Sequence, residues 1–373
     1  APYGNKWFNN ICRWHTGGIL PTIVSVKCAN ILQSPASPWG CQLPPQDDGN
    51  KGGSQRGQTG HPIDLVSGTK RFAALDYETA DRSLRLARAY SSLPWAGTPS
   101  RLGAKPLGLA NWQFDFQAEL QLGDEWESFR AVTIALPNGV AVSFARQSSG
   151  AMTAYTPTAY PLPQTDYTLT FDDTWPSDLN TIRTLKTHWT LRGPGDDVWS
   201  LETFADAATG LFTVARPVHI TRRSGLQLTL AYGSSYQLAS IADSYGKTIT
   251  FDWHMIDPTI VGGTGAAIPG AIKQANLPGG YKLKYTYETI GTNSTGLPQP
   301  DRLSKVEFTD PSNIVLDSTT YQYTDTNMPN GITAILDKDA VAPCSVTYAA
   351  DGRATISQAP SGADTAIVPY GAH

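Results

Sequence analysis

The sequence predicts an all-β protein: an antiparallel sheet of short repeats that curves as an open or partial shell, preceded by an irregular, cysteine-bearing N-terminal arm. Apolar and polar residues alternate along many short segments, which is the period of a strand. Turn-forming residues separate these segments, and the 373 residues include 34 glycines and 27 prolines. No segment shows a convincing 3.6-residue period with helix caps. These three observations favour strands over helices.

Residues 1–56 form a separate compositional zone, which we interpret as an N-terminal arm and linker. The zone contains most of the stretch SPASPWGCQLPPQDDGNKGGSQRGQTG, a composition typical of a solvated tether. The disulfide candidates are Cys12, Cys28, Cys41 and Cys344. Four cysteines allow three pairings, and the sequence does not choose among them. The even cysteine count and a first residue that is Ala1 rather than Met favour a secreted protein that has lost a signal peptide, over a trimmed chain.

From Gly60 onward the chain reads as a series of short strands. Apolar residues of one parity, which share one face of a strand, are Trp112, Phe114, Phe116, Ala118, Leu120 and Leu122; Leu226, Leu228, Leu230 and Tyr232; Ile249, Phe251 and Trp253; and Tyr281, Leu283, Tyr285 and Tyr287. The residues between them are largely polar, and antiparallel sheets tolerate one wet face. Predicted turns are PNG (137–139), SYGK (244–247), PGG (278–280) and ADG (350–352).

Three stretches repeat one pattern: YQLASIADSYGKTITFDW (236–253), DRLSKVEFTDPSNIVLDSTTYQY (301–323) and NGITAILDKDAVAPCSVTYAADGR (330–353). Each has a Leu or Ile, then an Asp near a turn, then alternating residues that end in an aromatic. Repeat units of this size bury their apolar faces by stacking on their neighbours. The sequence therefore predicts a repeat architecture.

The order of the motifs resembles the RHS (YD-repeat) family of bacterial polymorphic toxins and related surface proteins. GHPIDLVSGTKRFAALDYE, LRLARAYSS, GLANWQFDFQAEL and ALPNGVAVSF are similar to the opening segments of that family, and the three repeated stretches follow in its order. The resemblance covers residues 57–373. It divides them into an N-terminal β region, 57–195, and a YD-repeat sheet, 196–373.

The resemblance implies structural roles in the repeats for Leu238, Asp243, Gly246, Phe251, Tyr287, Leu303, Asp310, Tyr323, Asp337, Tyr348, Gly352 and Arg353. The Tyr–Asp pair of the family is eroded, since Asp252 follows Phe251 and Ala349 follows Tyr348. Ala340 stands where a turn glycine is usual. The family's self-cleavage segment and a toxin domain are not found in this sequence, so the resemblance implies a β-sheet wall without autoproteolysis or toxic activity.

The predicted function follows from the size of this wall. A sheet that encloses a cargo domain of about 100 residues needs about 6,000 Å², whereas about 170 strand residues tile roughly 2,800 Å². We therefore expect sheet edges that another polypeptide completes. The leading hypothesis is a non-enzymatic, secreted structural protein that self-associates with identical subunits into an extracellular wall or filament, outside a bacterium or at its surface.

Two alternatives stay open. The first is the N-terminal shell segment of an RHS polymorphic toxin, which encloses a C-terminal toxin or belongs to a longer chain. The second is a carbohydrate-binding β-protein, because 10 Trp and 16 Tyr could supply flat platforms for sugar rings. We expect most of these aromatic residues to pack the buried side of the sheet instead.

Residues that could carry chemistry do not form a recognisable site. Asp172–Asp173 and Asp196–Asp197 are paired carboxylates, but adjacent strand residues point to opposite faces, so we expect turn roles rather than glycoside hydrolysis. Asp337 and Asp339 begin like a calcium loop that lacks its later ligands. We expect no catalytic, cofactor or metal residues. The net charge of −4 favours no nucleic-acid partner, and no apolar run reaches the length of a transmembrane helix.

Overall fold

A computed structural model describes residues 13–15, 25–27, 63, 69–92, 112–122, 131–136, 141–146, 154–157, 167–173, 184–193, 195–205, 210–234, 236–256, 268–288, 302–326, 328–342, 344–358 and 365–367. Within these residues the strands pair antiparallel, no α-helix occurs, and Pro278–Gly280 forms a 3₁₀ turn. The predicted all-β, antiparallel fold is confirmed.

The described strands form three sheets. β1 (Arg13–His15) pairs with β2 (Ser25–Lys27). A three-stranded sheet has the order β3 (Arg71–Glu78), β4 (Arg85–Ser91) and β5 (Trp112–Phe114). The large sheet contains β6 (Glu119–Gln121), β7 (Ala131–Ala135), β8 (Ala141–Arg146), β9 (Ala154–Pro157), β10 (Thr168–Phe171), β11 (His188–Arg192), β12 (Val198–Ala205), β13 (Phe212–Thr221), β14 (Gln227–Tyr232), β15 (Leu238–Asp243), β16 (Thr248–Ile256), β17 (Ile268–Asn276), β18 (Lys282–Glu288), β19 (Arg302–Thr309), β20 (Val315–Gln322), β21 (Ala334–Leu336), β22 (Cys344–Tyr348), β23 (Ala354–Gln358) and β24 (Thr365–Ile367).

The chain divides into two compact units. The larger unit takes residues 74–89 and 94–318, and the smaller unit takes residues 1–73, 90–93 and 319–373. Strands β5 to β19 belong to the larger unit, and β21 to β24 to the smaller one. Strands β3, β4 and β20 contribute residues to both.

In the larger unit the sheet forks at β13. Strands β6 to β19 pair with their neighbours in chain order. Strand β6 pairs in addition with β13, through Gln121–Val214 and Leu120–Ala215. Strand β13 therefore has β12 along one edge and, along the other, first β6 and then β14.

The core of the larger unit lies on one face of the sheet, as the alternation predicts. One continuous row of paired, buried residues crosses five strands: Leu169, Leu191, Trp199, Ile220 and Leu228. The neighbouring row on the opposite face consists of polar residues: Thr170, Thr190, Ser200, His219 and Thr229. Side chains of successive strand residues point to opposite faces, so one hydrophobic row and one polar row follow from the sequence period.

The core of the smaller unit is a shorter version of the same arrangement. Tyr321 of β20, Ile335 of β21 and Cys344 of β22 form a buried row across three paired strands. Strand β22 continues the alternation with a buried–exposed–buried pattern, and it pairs with β23. Apolar burial on one face of the sheet thus stabilises each unit.

Candidate functional site

The hairpins of the large sheet share one turn geometry. The backbone N–H of the first residue donates to the carbonyl of the fifth, and the N–H of the fourth donates back to the carbonyl of the first. In the larger unit these turns are 193–197, 222–226, 233–237, 243–247, 277–281 and 310–314, and in the smaller unit 337–341 and 349–353. In each turn the fourth residue has a positive φ: Asp196, Gly225, Tyr236, Gly246, Gly280, Asn313, Ala340 and Gly352. This is the three-residue hairpin loop that closes on a left-handed residue.

Aspartate begins several of these turns because its side chain binds the backbone of the loop. Asp243 Oδ1 accepts from the N–H groups of Tyr245 and Lys247, at 3.0 and 2.8 Å. Asp310 and Asp337 accept in the same way from the residue four positions later, at 2.7 and 3.0 Å. Such bonds satisfy loop donors that no strand pairs with. The side chains of Asp243, Asp310 and Asp337 therefore bind the backbone of their own turns.

A hydrogen bond from an aromatic side chain to a backbone carbonyl repeats along the sheet. The side chains of Tyr232, Trp253 and Tyr287 each donate to the backbone carbonyl of the residue 15 positions earlier, which is Pro217, Leu238 and Ile272, at 2.9, 2.8 and 2.8 Å. In the smaller unit Tyr348 donates to the carbonyl of Ile332, 16 positions earlier, at 3.0 Å. We call these four bonds the aromatic–carbonyl ladder.

The ladder coincides with β-bulges. Tyr232, Trp253 and Tyr287 pair with Leu238, Ile272 and Leu303, and the register shifts by one residue beside each pair. Leu238 and Ile272 then accept the next bond of the ladder through their carbonyls. A bulge leaves part of the strand ladder unpaired, and the aromatic donor satisfies such a carbonyl. Burial raises the pKa of Tyr232 and of Tyr348, so both phenols keep the proton that they donate.

Sequence reasoning identified only half of this ladder. Tyr287 and Tyr348 were predicted as repeat residues, whereas Tyr232 and Trp253 were not. Phe251, which was predicted in place of Trp253, is buried in the core. The signal that could have found the missing members is the constant spacing of 15 residues between an aromatic and an earlier strand residue. The other predicted members lie where apolar and turn residues are expected: Leu303 and Tyr323 are buried, and Gly246, Gly352 and Arg353 lie in turns.

In the larger unit, a second layer of strands packs on the apolar face of the sheet. We call residues 74–89 and 112–116 the inner layer. Phe114 lies 6.2 Å from the ring of Tyr285 and 6.3 Å from that of Phe251, and Phe116 lies 6.4 Å from Phe251. The apolar face of β16 and β18 is therefore covered by the same chain.

A buried ion pair connects the inner layer to the sheet. The Arg88 guanidinium donates to the Asp76 carboxylate, with 2.7 Å between Nη2 and Oδ1, and lies 4.5 Å above the ring of Trp112. Tyr285 of β18 donates to Asp76 Oδ2 at 3.2 Å. Burial, and next the charge of Asp76, raise the pKa of Tyr285 well above its ordinary value, so this hydroxyl stays a donor.

A second polar contact lies nearer the turns. The Lys247 ammonium binds the carboxylate of Asp81 and donates to Ser83 Oγ at 3.1 Å. The bond from Lys247, followed by those from Thr79 and Ser83, lowers the pKa of Asp81. Asp76 and Asp81 of the inner layer are thus each matched to a residue of the large sheet.

In the smaller unit, residues 69–73 and 90–92 pack on the sheet through buried polar groups. Lys70 Nζ donates to Ser357 Oγ at 2.8 Å, and burial lowers the pKa of Lys70 to about 7, with a small opposing effect of Cys344. Tyr90 donates to the carbonyl of Asn330 at 2.7 Å, and its hydroxyl accepts from the N–H of Ile332 at 3.0 Å. These contacts place a lysine and a tyrosine in the core.

Cys344 carries a free, buried thiol, 3.8 Å from Ser357 Oγ. Its position in β22, on the buried face of the sheet, accounts for its burial. The other disulfide candidates, Cys12, Cys28 and Cys41, lie outside the described residues.

The paired carboxylates do not converge on one site. Asp172 accepts from the hydroxyls of Thr170 and Thr190, at 3.0 and 2.6 Å, and Asp173 accepts from the backbone and ring of His188. Asp196 and Asp197 are the fourth and fifth residues of the turn 193–197. Their partners are Arg223 at 3.6 Å and Arg222 at 2.5 Å.

The part of the chain that the structure describes shows no cluster of metal-binding side chains. Its His, Cys, Asp and Glu side chains form no group of three or more that could hold an ion. Of its tryptophans, Trp112, Trp189 and Trp199 are buried and Trp253 belongs to the ladder. No helix among the described residues is long and apolar enough to span a membrane.

These contacts define a protein of antiparallel hairpin repeats with an inner layer of strands. No family model matches the chain, and no curated protein matches it. Among solved structures it is similar to the TcdB2–TccC3 complex, at 11% identity and a TM-score of 0.36, over 80% of this chain and 17% of that one. It is also similar to the Photorhabdus luminescens Tc holotoxin pore, at 14% identity and a TM-score of 0.23, over 81% of this chain and 14% of that one. A third similar structure is a porin-like protein from Bacteroides uniformis, at 14% identity and a TM-score of 0.24, over 64% of this chain and 92% of that one. The chain spans less than a fifth of the Tc toxin chains that it matches.

Proposed function

We propose that this protein is a non-enzymatic structural protein, a wall of hairpin repeats that self-associates into an extracellular wall or filament. The observation that carries the structural part is the aromatic–carbonyl ladder. It recurs at one spacing on β14, β16 and β18, each time beside a bulge. A contact that repeats from hairpin to hairpin builds a uniform sheet, whereas a catalytic site needs one unique arrangement.

The charged residues of the larger unit support the same reading. Ion pairs join neighbouring strands through Arg216–Glu119 and Arg302–Glu288, and Lys186, just before β11, pairs with Glu202 of β12. In each pair the two charges neutralise each other rather than converge on a cleft. An assay for glycan hydrolysis tests the non-enzymatic part, and activity that is abolished by Asp172→Asn would overturn it.

An exposed apolar segment supports self-association. Ile314, Val315 and Leu316 are consecutive residues at the start of β20, and they are 62%, 49% and 44% exposed. Apolar residues that cluster on a surface mark contact sites more often than single ones do. Because removing apolar surface from water favours association, we assign this segment to contact with a second copy of the chain.

Size-exclusion chromatography with light scattering, over a range of concentrations, tests this assignment, and negative-stain microscopy shows the product. We expect the mass to rise with concentration and Val315→Lys to abolish the rise. Leu185→Lys is the matched control, because Leu185 is also 49% exposed and lies in the same unit. A wild-type protein that stays monomeric at every concentration would contradict self-association.

The second candidate is the N-terminal shell segment of an RHS polymorphic toxin. It is favoured by the order of the repeat motifs, and by an apolar sheet face that already carries another layer of polypeptide, at Phe114 and Phe116. In that case the wall alone forms no filaments, and closed particles appear only when a C-terminal chain is supplied. The same microscopy therefore separates the two candidates.

A further inference from the structure

The hairpins of the larger unit offer the inner layer several nearly equivalent positions. Tyr232, Trp253 and Tyr287 mark equivalent points of successive hairpins, because each donates to a carbonyl 15 residues earlier. Neighbouring hairpins are two strands apart, which is about 10 Å. A layer held only by apolar contacts could therefore slide sideways by one hairpin and again meet a buried, apolar face.

The first polar contact of the inner layer breaks this equivalence. Two residues before each ladder aromatic, on the same face, stand Leu230, Phe251 and Tyr285, and all three are buried. Only the last carries a hydroxyl, and it donates to Asp76 of the buried Asp76–Arg88 pair. After a shift by one hairpin, Phe251 would face the carboxylate and leave it without this donor.

The second polar contact breaks the equivalence independently. The turns that follow β13, β15, β17 and β19 lie at one end of the strands, and their fifth residues are Leu226, Lys247, Tyr281 and Ile314. Lys247 is the cation in this series, and it binds Asp81 and Ser83 of the inner layer. A shifted layer would set Asp81 against Leu226 or Tyr281.

We propose that Asp76, Arg88, Tyr285 and Lys247 are positioning residues that select one register of the inner layer on the repeat sheet. Buried polar groups rarely add net stability over apolar residues of the same volume, but they penalise arrangements that leave them unpaired. Their role is therefore specificity: the apolar contacts hold the layer on the sheet, and the two polar contacts decide where it sits. The proposal is independent of self-association.

The test uses the full chain labelled with fluorotryptophan, and the ¹⁹F resonance of Trp112 as its readout. Trp112 lies in the inner layer against Arg88, and Trp112→Phe identifies its signal among the 10 tryptophans. The apolar variant combines Asp76→Leu, Arg88→Met, Tyr285→Phe and Lys247→Met. We expect one Trp112 resonance in the wild type and two or more in the variant, with β-sheet content unchanged by circular dichroism.

The matched control removes a different ion pair of low exposure, Arg216–Glu119, which joins β13 to β6 within the sheet. Arg216→Met with Glu119→Leu is expected to leave a single Trp112 resonance. A single Trp112 resonance in a folded apolar variant would overturn the proposal, because apolar packing would then select the register by itself.

A swap variant keeps the test decisive if the apolar variant does not fold. Phe251→Tyr with Tyr285→Phe, in a Lys247→Met background, moves the phenol by one hairpin and leaves the Asp76–Arg88 pair intact. The expected result is a displaced or split Trp112 resonance. A Trp112 resonance that stays single and unshifted relative to Lys247→Met alone would overturn the proposal.

Discussion

Lys70→Met removes a buried amine from the smaller unit and keeps the length of the side chain. Lys70 is 2% exposed, and burial lowers its pKa from 10.5 to about 7. The unfolded chain therefore binds more protons than the folded protein between about pH 7 and pH 10, and the stability of the wild type rises with pH across this window. Below pH 7 the amine is charged in both states, and the cost of burying it is complete.

The magnitude follows from the size of this shift. At about 1.4 kcal/mol per pKa unit, the buried charge costs roughly 5 kcal/mol below pH 7. Methionine removes this cost but leaves the Ser357 hydroxyl without its donor, a penalty of about 1–3 kcal/mol. We expect Lys70→Met to be more stable than the wild type by about 2–4 kcal/mol at pH 6, and to lose this advantage by pH 10.

Urea unfolding at pH 6, 7, 8, 9 and 10 measures the effect, with fluorescence and circular dichroism as probes. Both proteins carry Cys344→Ala, because thiols titrate in the same range. Lys338→Met is the control for the loss of a lysine, because Lys338 is exposed in a turn of the same unit. A difference between Lys70→Met and the wild type that does not vary with pH would refute the reasoning.

Three further predictions concern single contacts, each measured by urea unfolding. Tyr287→Phe removes one bond of the aromatic–carbonyl ladder and is expected to lower the free energy of unfolding by about 1 kcal/mol. The control is Tyr245→Phe, on a side chain that is 70% exposed, and it is expected to cause no measurable change. Equal effects of the two substitutions would argue against the ladder. Ala340→Gly is expected to stabilise the protein by about 1 kcal/mol, because Ala340 has a φ of +60°; a loss of stability would contradict this. Asp76→Ala leaves the Arg88 guanidinium buried without its carboxylate and is expected to lower the free energy of unfolding by about 3–5 kcal/mol. A loss of less than about 1 kcal/mol would contradict this and would show that water replaces the carboxylate.

The strand faces could be predicted well from the sequence. Trp112, Phe114, Phe116 and Leu120, assigned to one face by their parity, are all buried. The parity was correct but the number of strands was not, since this segment is divided between β5 and β6. A period of two residues reports the direction of a side chain, whereas the place where a strand ends depends on which partners lie beside it.

Several of the turns were also accessible from the sequence. SYGK, PGG and ADG all lie in hairpin turns, and Gly246 and Gly352 have the positive φ that favours glycine. Ala340 adopts the same conformation without being glycine. The turn forms there because Asp337 binds the loop backbone and the paired strands hold both ends.

The buried charges of the inner layer could not be predicted. Strand β4 is buried along both faces from Leu86 to Ser91, and Arg88 is among its buried residues. Arg88 is buried because Asp76 and Trp112 meet it, and Asp76 is matched in turn by Tyr285, 209 residues away. Partners so distant in sequence leave no local pattern.

The sequence by itself determined the strands, their apolar faces and the turns between them, because these depend on neighbouring residues, the two-residue period and the few backbone conformations that a turn allows. Only the tertiary structure decided that residues 74–89 and 112–116 cover the apolar face of the larger unit, and which charges they bury. The hairpins present similar apolar rows, so apolar pattern alone cannot say which of them the second layer meets. Long-range polar contacts such as Tyr285 with Asp76 and Lys247 with Asp81 make that choice, and they exist only once the chain has folded.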